Sequence, residues 1–149
     1  MPAAVGIAKN WDSSGLLWII SKKTNTKNQN HERSTMTDCL FCKIRDGEIP
    51  GDKVYEDDDI LAFRDVNPQA PTHVLVIPKK HIATINDLDN EDVTVSGKMM
   101  LVAKQIAADE GIDQDGYRLV FNCNEGAGQA VFHIHMHVLG GRRMSWPPG

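Results

Sequence analysis

The order of segments predicts an α+β fold: a mostly antiparallel five-stranded sheet, running as a meander, with one long helix and one short helix. Three observations carry this. Strand-like runs come three in succession before the long helical stretch and two after it, with no strand-helix-strand alternation of the kind a parallel sheet needs. Only one stretch holds an apolar stripe at helical spacing over many turns. The last strand-like run alternates strictly between histidine and apolar residues. The helices are expected on one side of the sheet.

Cys39 to Arg45 reads as a short helical turn ended by Asp46-Gly47. Lys53 to Glu56 and Ile60 to Arg64 are short strands around the acidic turn Asp57-Asp58-Asp59. Asn67-Pro68 and Ala70-Pro71 mark a loop. Thr72 to Ile77 is β-branched and apolar, a central strand stopped by Pro78. Asp89 or Asn90 can cap the long helix, which runs to about Glu110 and is closed by Gly111. Its stripe is Val95, Met99, Val102, Ala103, Ile106 and Ala107, read as core. Tyr117 to Cys123 and His133 to Leu139 are the remaining strands, and Gly140-Gly141 breaks the last.

The chain has 149 residues, enough for one domain with a real core. Its net charge of -4 argues against broad capture of nucleic-acid backbone. No apolar run approaches membrane-spanning length, so neither nucleic acid nor membrane is an expected partner. Residues 1–37 differ from the rest: rich in Asn, Ser, Thr and Lys, they carry +3, which leaves -7 on 38–149. We read 1–37 as a disordered extension and 38–149 as the domain. Three cysteines, an odd number, suit a reducing compartment, and a cytoplasmic location is expected. An organellar one follows instead if 1–37 is a transit segment.

The informative segment is His133-Ile134-His135-Met136-His137-Val138. On a strand the three imidazoles share one side, and the three apolar residues turn to the core. One regular strand does not bring all three to a single metal, because residues four apart are separated by about 13 Å. A division of labour along a phosphate fits better, one ring attacking and the next binding oxygens, since an ordinary imidazole pKa near ~6.5 leaves both forms accessible. The preceding run, Asn122 to Gln129, offers Gly126 and Gly128, where backbone N–H groups can approach an anion. Separately, Cys39-x-x-Cys42 is a metal or redox candidate.

These residues resemble the histidine triad (HIT) nucleotide-binding proteins, and most closely their Hint branch. The likeness covers 38–149, including Asp65-Val66-Asn67-Pro68, Pro71-Thr72-His73, Pro78-Lys79-Lys80-His81, Gly140-Gly141-Arg142 and Trp146-Pro147-Pro148-Gly149. The resemblance implies a homodimeric purine nucleoside phosphoramidase or nucleotide hydrolase, acting on AMP- or GMP-like conjugates such as adenosine 5'-phosphoramidates or aminoacyl-adenylates. It assigns His135 as the nucleophile that forms a nucleotidyl-histidine. His137 would bind a phosphate oxygen, and His73 would orient the triad. Asp65 would hold the ribose hydroxyls, and Phe41, Ile44, Phe63 and Val66 the base. Asn122, Gly128, Gln129 and residue 130 would face the phosphate and leaving group. Many relatives have serine where Ala130 stands, which touches the leaving-group preference and not the nucleophile.

No cofactor is expected for catalysis. A thioredoxin-like pattern does not surround Cys39 and Cys42, so structural zinc is the better reading of the pair. The resemblance supplies His81 and His133 as the other ligands. Cys123 is read as a packed strand residue. The nucleotidyl-transferase branch is disfavoured, because it carries glutamine where His137 stands. Two other classes stay open: a nucleotide-binding regulatory module with little turnover, and a zinc-binding interaction protein.

Overall fold

The computed structural model describes residues 38–148. The extension 1–37 and Gly149 lie outside the described residues. The elements are α1 (Leu40–Arg45), β1 (Lys53–Glu56), β2 (Ile60–Arg64), β3 (Thr72–Pro78), α2 (Val93–Asp109), β4 (Arg118–Phe121) and β5 (Met136–Gly140), with three short 3-10 turns. The five strands pair antiparallel in the order β1-β2-β3-β5-β4. The α+β class and the five-stranded sheet stand as expected. The meander holds for β1 to β3 and then breaks: β5 pairs with β3, and β4 takes the edge. That places the histidine-bearing strand inside the sheet, paired on both sides.

The register sorts the strand residues into two faces. Ile60, Ala62, Val74, Val76, Met136 and Val138 pack with Met99, Val102, Ala103, Ile106 and Ala107 of α2. Leu61, Phe63, Leu75 and Ile77, their alternates, pack instead with Cys39, Phe41, Cys42 and Ile44 around α1. The two helices therefore lie on opposite faces, which corrects the one-sided expectation. The reason is the unbroken burial of β3, whose seven residues are all buried and need a cover on each side.

The long helix begins through a 3-10 turn, Asn90–Asp92, capped by Asp89, whose carboxylate accepts from Glu91 N–H at 2.8 Å. Its end is a Schellman turn. Gly111 takes φ +67°, Gly111 N–H bonds Ala108 O, and Ile112 N–H bonds Ala107 O. Ile112 then folds its side chain into the same core as Ile106 and Ala107. The predicted apolar stripe is the buried face of α2, except Val95, which is partly buried against it.

Candidate active site and metal centre

β5 begins only at Met136, so of the three histidines His137 alone lies on the regular strand. His133 and His135 stand on a bend before it, where His133 N–H turns back to Val131 O and Ile134 N–H reaches Ile82 O. The sidedness survives. Ile134, Met136 and Val138 enter the α2 core, while all three imidazoles face the α1 side. The bend is what lets neighbouring rings serve different sites.

The buried ring of His133 donates from Nε2 to Pro78 O at 2.8 Å. A carbonyl only accepts, so Nδ1 keeps its lone pair. That nitrogen lies 3.5 Å from Cys39 Sγ, 3.6 Å from Cys42 Sγ and 3.3 Å from His81 Nδ1, and Cys42 Sγ is 3.4 Å from His81 Nδ1. In a tetrahedron with zinc-like bonds, N···N edges are roughly 3.3 Å and S···N edges roughly 3.5 Å. The four side chains could thus hold a metal ion, and the Pro78 carbonyl already fixes one ligand ring as such sites require. Burial, followed by the Cys39 neighbour, pushes the Cys42 thiol up to about 11, so its deprotonation waits on a cation.

His135 is oriented by the same residue. Its Nδ1 donates to His133 O at 2.8 Å, which leaves the Nε2 lone pair free. The ring stands edge-on to Phe41, with centroids 5.1 Å apart and planes at 85°. Only 6% of His135 is exposed, and it lines a cleft of about 600 Å³. Burial lowers its pKa below the ordinary imidazole value, which favours the neutral ring.

His137 belongs to a second group. Gln69 N–H donates to His73 Nδ1 at 3.0 Å, and His73 Nε2 lies 2.9 Å from His137 Nδ1. With the His73 Nδ1 lone pair occupied, the neutral ring carries its proton on Nε2 and donates it to His137. The neutral His137 then carries its own proton on Nε2. That atom is buried without a partner among the described residues, on a ring that lines the cleft. Burial, then the neighbouring His135 and His73, pulls the His137 pKa down to about 4. Asp65 lies 3.5 Å from His73 Nε2 through Oδ2 and accepts from Asn67 N–H through Oδ1.

The cleft gathers most of the expected nucleotide residues. Phe41, Ile44 and Phe63 form one wall, with Phe41 and Phe63 in edge contact at 5.4 Å. Asp65 and Val66 also line it, Val66 fully exposed. Gly128 and Ala130 line the end near His135 and His137. Asn122 and Gln129 do not line it. Gln129 is 3% exposed: its amide donates to Ala83 O and Val131 O, and its Oε1 accepts from Asn124 N–H. It braces the Gly-rich loop from behind, because a buried amide needs partners on both ends. The loop's own Ala127, Gly128 and Gln129 N–H groups close turns onto Glu125 O and Asn124 O. Those three amides are committed within the loop, which takes Gly128, though not Gly126, out of the expected anion contact.

Sequence reasoning missed Leu40, Pro50, Gly51, Asp52, Arg64, Leu75 and Val131 in the lining. Two signals were present. Leu40 and Ile44 are four apart on α1 and share a face. At Gly51, a Cβ would stand 2.8 Å from Ile44 Cγ2, so glycine is what lets that loop close onto α1.

Residues 46–144 match the HIT domain. The chain belongs to that family. It is 55% identical over 103 residues to a purine nucleoside phosphoramidase of Escherichia coli K12, covering 69% of this chain and 87% of that protein. It is 54% identical to an uncharacterized HIT-like protein of Synechocystis, over 75% of this chain and 97% of the other. Among solved structures, a HIT family hydrolase from Legionella pneumophila superposes with TM-score 0.73 at 61% identity, over 74% of this chain and 99% of that one. A histidine triad nucleotide-binding protein from Candida albicans superposes with TM-score 0.63 at 31% identity, over 73% and 82%. This HIT protein thus shares its five-stranded fold with hydrolases whose sequences align along nearly their whole length.

Proposed function

We propose that this HIT protein is a purine nucleoside phosphoramidase of the Hint type, cleaving at the α-phosphate of AMP- or GMP-like conjugates. The observation that carries the reading is the commitment of His135 Nδ1–H to His133 O, which presents the Nε2 lone pair to the cleft. That lone pair attacks the α-phosphorus. The bond from phosphorus to the leaving nitrogen breaks, its electrons go to that nitrogen, and the departing amine takes a proton from solvent. Positive charge grows on the His135 ring, and the His133 carbonyl steadies it through Nδ1–H. The His137 Nε2–H donates to a non-bridging oxygen. Water then attacks the nucleotidyl-histidine, gives its proton to solvent and returns the electron pair to Nε2. Asp65 accepts from the ribose hydroxyls, and Phe41, Ile44 and Phe63 hold the base.

Structural zinc on Cys39, Cys42, His81 and His133 accompanies this reading. It supplies cross-linking, not chemistry. Cys42 sits on a six-residue helix that has no side-chain cap and is too short to persist alone. The same helix carries Phe41 and Ile44 into the cleft, so the metal anchors the base wall.

A homodimer is part of the proposal. It is supported by the exposed Val93, Met100 and Leu101 of α2 and by β4 at the sheet edge. Among the described residues no helix is long and apolar enough to cross a membrane, and we place the protein in the cytoplasm because Cys39, Cys42 and Cys123 are not joined in disulfides. Single-turnover incubation with adenosine 5'-phosphoramidate tests the central step: wild type releases AMP and His135→Ala does not. Equal rates in the two would remove the nucleophile, and AMP binding without turnover in wild type would favour the regulatory-module reading.

A further inference from the structure

The loop between β2 and β3 is braced from the C-terminal segment. Arg142 donates to Gln69 O from Nε at 3.2 Å and from Nη2 at 3.1 Å. Gln69 in turn donates its side-chain amide to Asn67 O at 2.9 Å and its backbone N–H to His73 Nδ1 at 3.0 Å. The tail is built to reach this loop. Gly141, at φ +80°, packs so closely that a Cβ there would stand 2.9 Å from Pro71 Cβ. Two prolines, Pro68 and Pro71, limit the other ways the loop can turn.

We propose that Arg142 is a positioning residue that decides which nitrogen of His137 carries the proton facing the cleft. The logic follows from the direction of each hydrogen bond. With Gln69 N–H aimed at His73 Nδ1, His73 donates from Nε2 and His137 presents Nε2–H to the cleft. If Gln69 swings away, His73 can hold its proton on Nδ1 and accept at Nε2. His137 then donates from Nδ1 and turns a lone pair toward the cleft. A donor to an anionic oxygen becomes an acceptor that repels it. Arg142 acts at a distance, through the Gln69 carbonyl, Gln69 N–H and His73, so the C-terminal segment and the site share one network. The consequence for rate rests on the phosphate role proposed for His137; the consequence for tautomer does not.

Two-bond 1H–15N correlation spectra of the ligand-free full chain read the tautomers directly. Wild type shows Nε2–H on both His73 and His137. Arg142→Ala moves His137 wholly or partly to Nδ1–H and lowers kcat for adenosine 5'-phosphoramidate by about 10- to 100-fold, the size carried by a hydrogen bond to a charged group. Arg142→Lys, which keeps one donor, restores part of both. Gly141→Ala, which pushes the tail off Pro71, reproduces the tautomer change. Arg143→Ala removes the same charge without a side-chain bond to Gln69 and alters neither. Wild-type tautomers in Arg142→Ala, or an equal loss in Arg143→Ala, overturn the proposal. The tautomer result stands even if the wild-type chain has no phosphoramidase activity, which separates a failure here from a failure of the proposed function.

Discussion

His133 and His137 are the same residue type, four apart in one short segment and turned to the same side of the sheet, yet their surroundings differ. Around His133 the neighbours are two sulfurs and a second imidazole, and its other nitrogen is spent on Pro78 O. Around His137 the hydrogen-bonding neighbour is His73, and its other nitrogen is left without a partner among the described residues. The first ring is arranged as a ligand and the second as a donor. Between them, His135 takes its orientation from the His133 carbonyl. Under the proposed function, a histidine's work in this segment is set by what occupies its second nitrogen, and the residue beside the cysteines also orients the proposed nucleophile.

The sharpest break in this comparison is His135→Ala. It should cost about 10³-fold or more in AMP release while AMP binding is retained, because a nucleophile cannot be replaced by its neighbours. Single-turnover kinetics beside calorimetric AMP titration check both halves. Next comes the ligand end. Cys42→Ser, or a strong chelator on wild type, should release one metal per chain, lower Tm by on the order of 10 °C and weaken AMP binding through α1. Metal analysis with thermal melts decides it, and an unchanged Tm would show that the four side chains hold together without an ion.

Acidity should separate the two ends further. The folded pKa of His137 is about 4, against about 6.5 in an unfolded chain. The unfolded state binds more protons between those values, so stability is fully present above pH 6.5 and is lost as pH falls toward 4. His137→Gln should flatten that part of the stability–pH curve. For His135, whose pKa is also lowered, the acid limb of kcat/KM should lie below pH 6.5. A smaller effect is expected at Gln129→Ala, which strands Asn124 N–H and loosens the loop. It should lose about 1–3 kcal/mol of stability, with a modest rise in KM. The smallest effect belongs to Ala130→Ser, which adds a hydroxyl to the cleft end and should change rates only a few-fold, and differently for different leaving groups.

The sequence made some of this legible because local rules and tertiary needs coincided. Gly111 after an apolar stripe is a helix stop in any context. The alternation at Ile134, Met136 and Val138 had one sensible core to face. It failed where burial overrode a local rule. Regular strand spacing suggested His133 inside the ladder, but its ring is drawn toward Cys39 and Cys42 and the strand starts later. The family resemblance gave Gln129 a place facing the phosphate; nothing local signals that Ala83, 46 residues away, claims its amide.

What the residues alone determined was chemistry and its sidedness: three imidazoles on one side, a cysteine pair upstream, and apolar alternates that fix which side is core. Those follow from side-chain periodicity, which is local. The partition of the histidines between a cysteine–histidine cluster and the cleft was decided by tertiary structure. So was the placing of α1 and α2 on opposite faces, because β3 is buried on both. Hydrogen-bond direction depends on which carbonyl, amide or ring arrives at each ring nitrogen, and only the closed fold brings Pro78 O to His133, 55 residues apart, and His73 to His137, 64 residues apart.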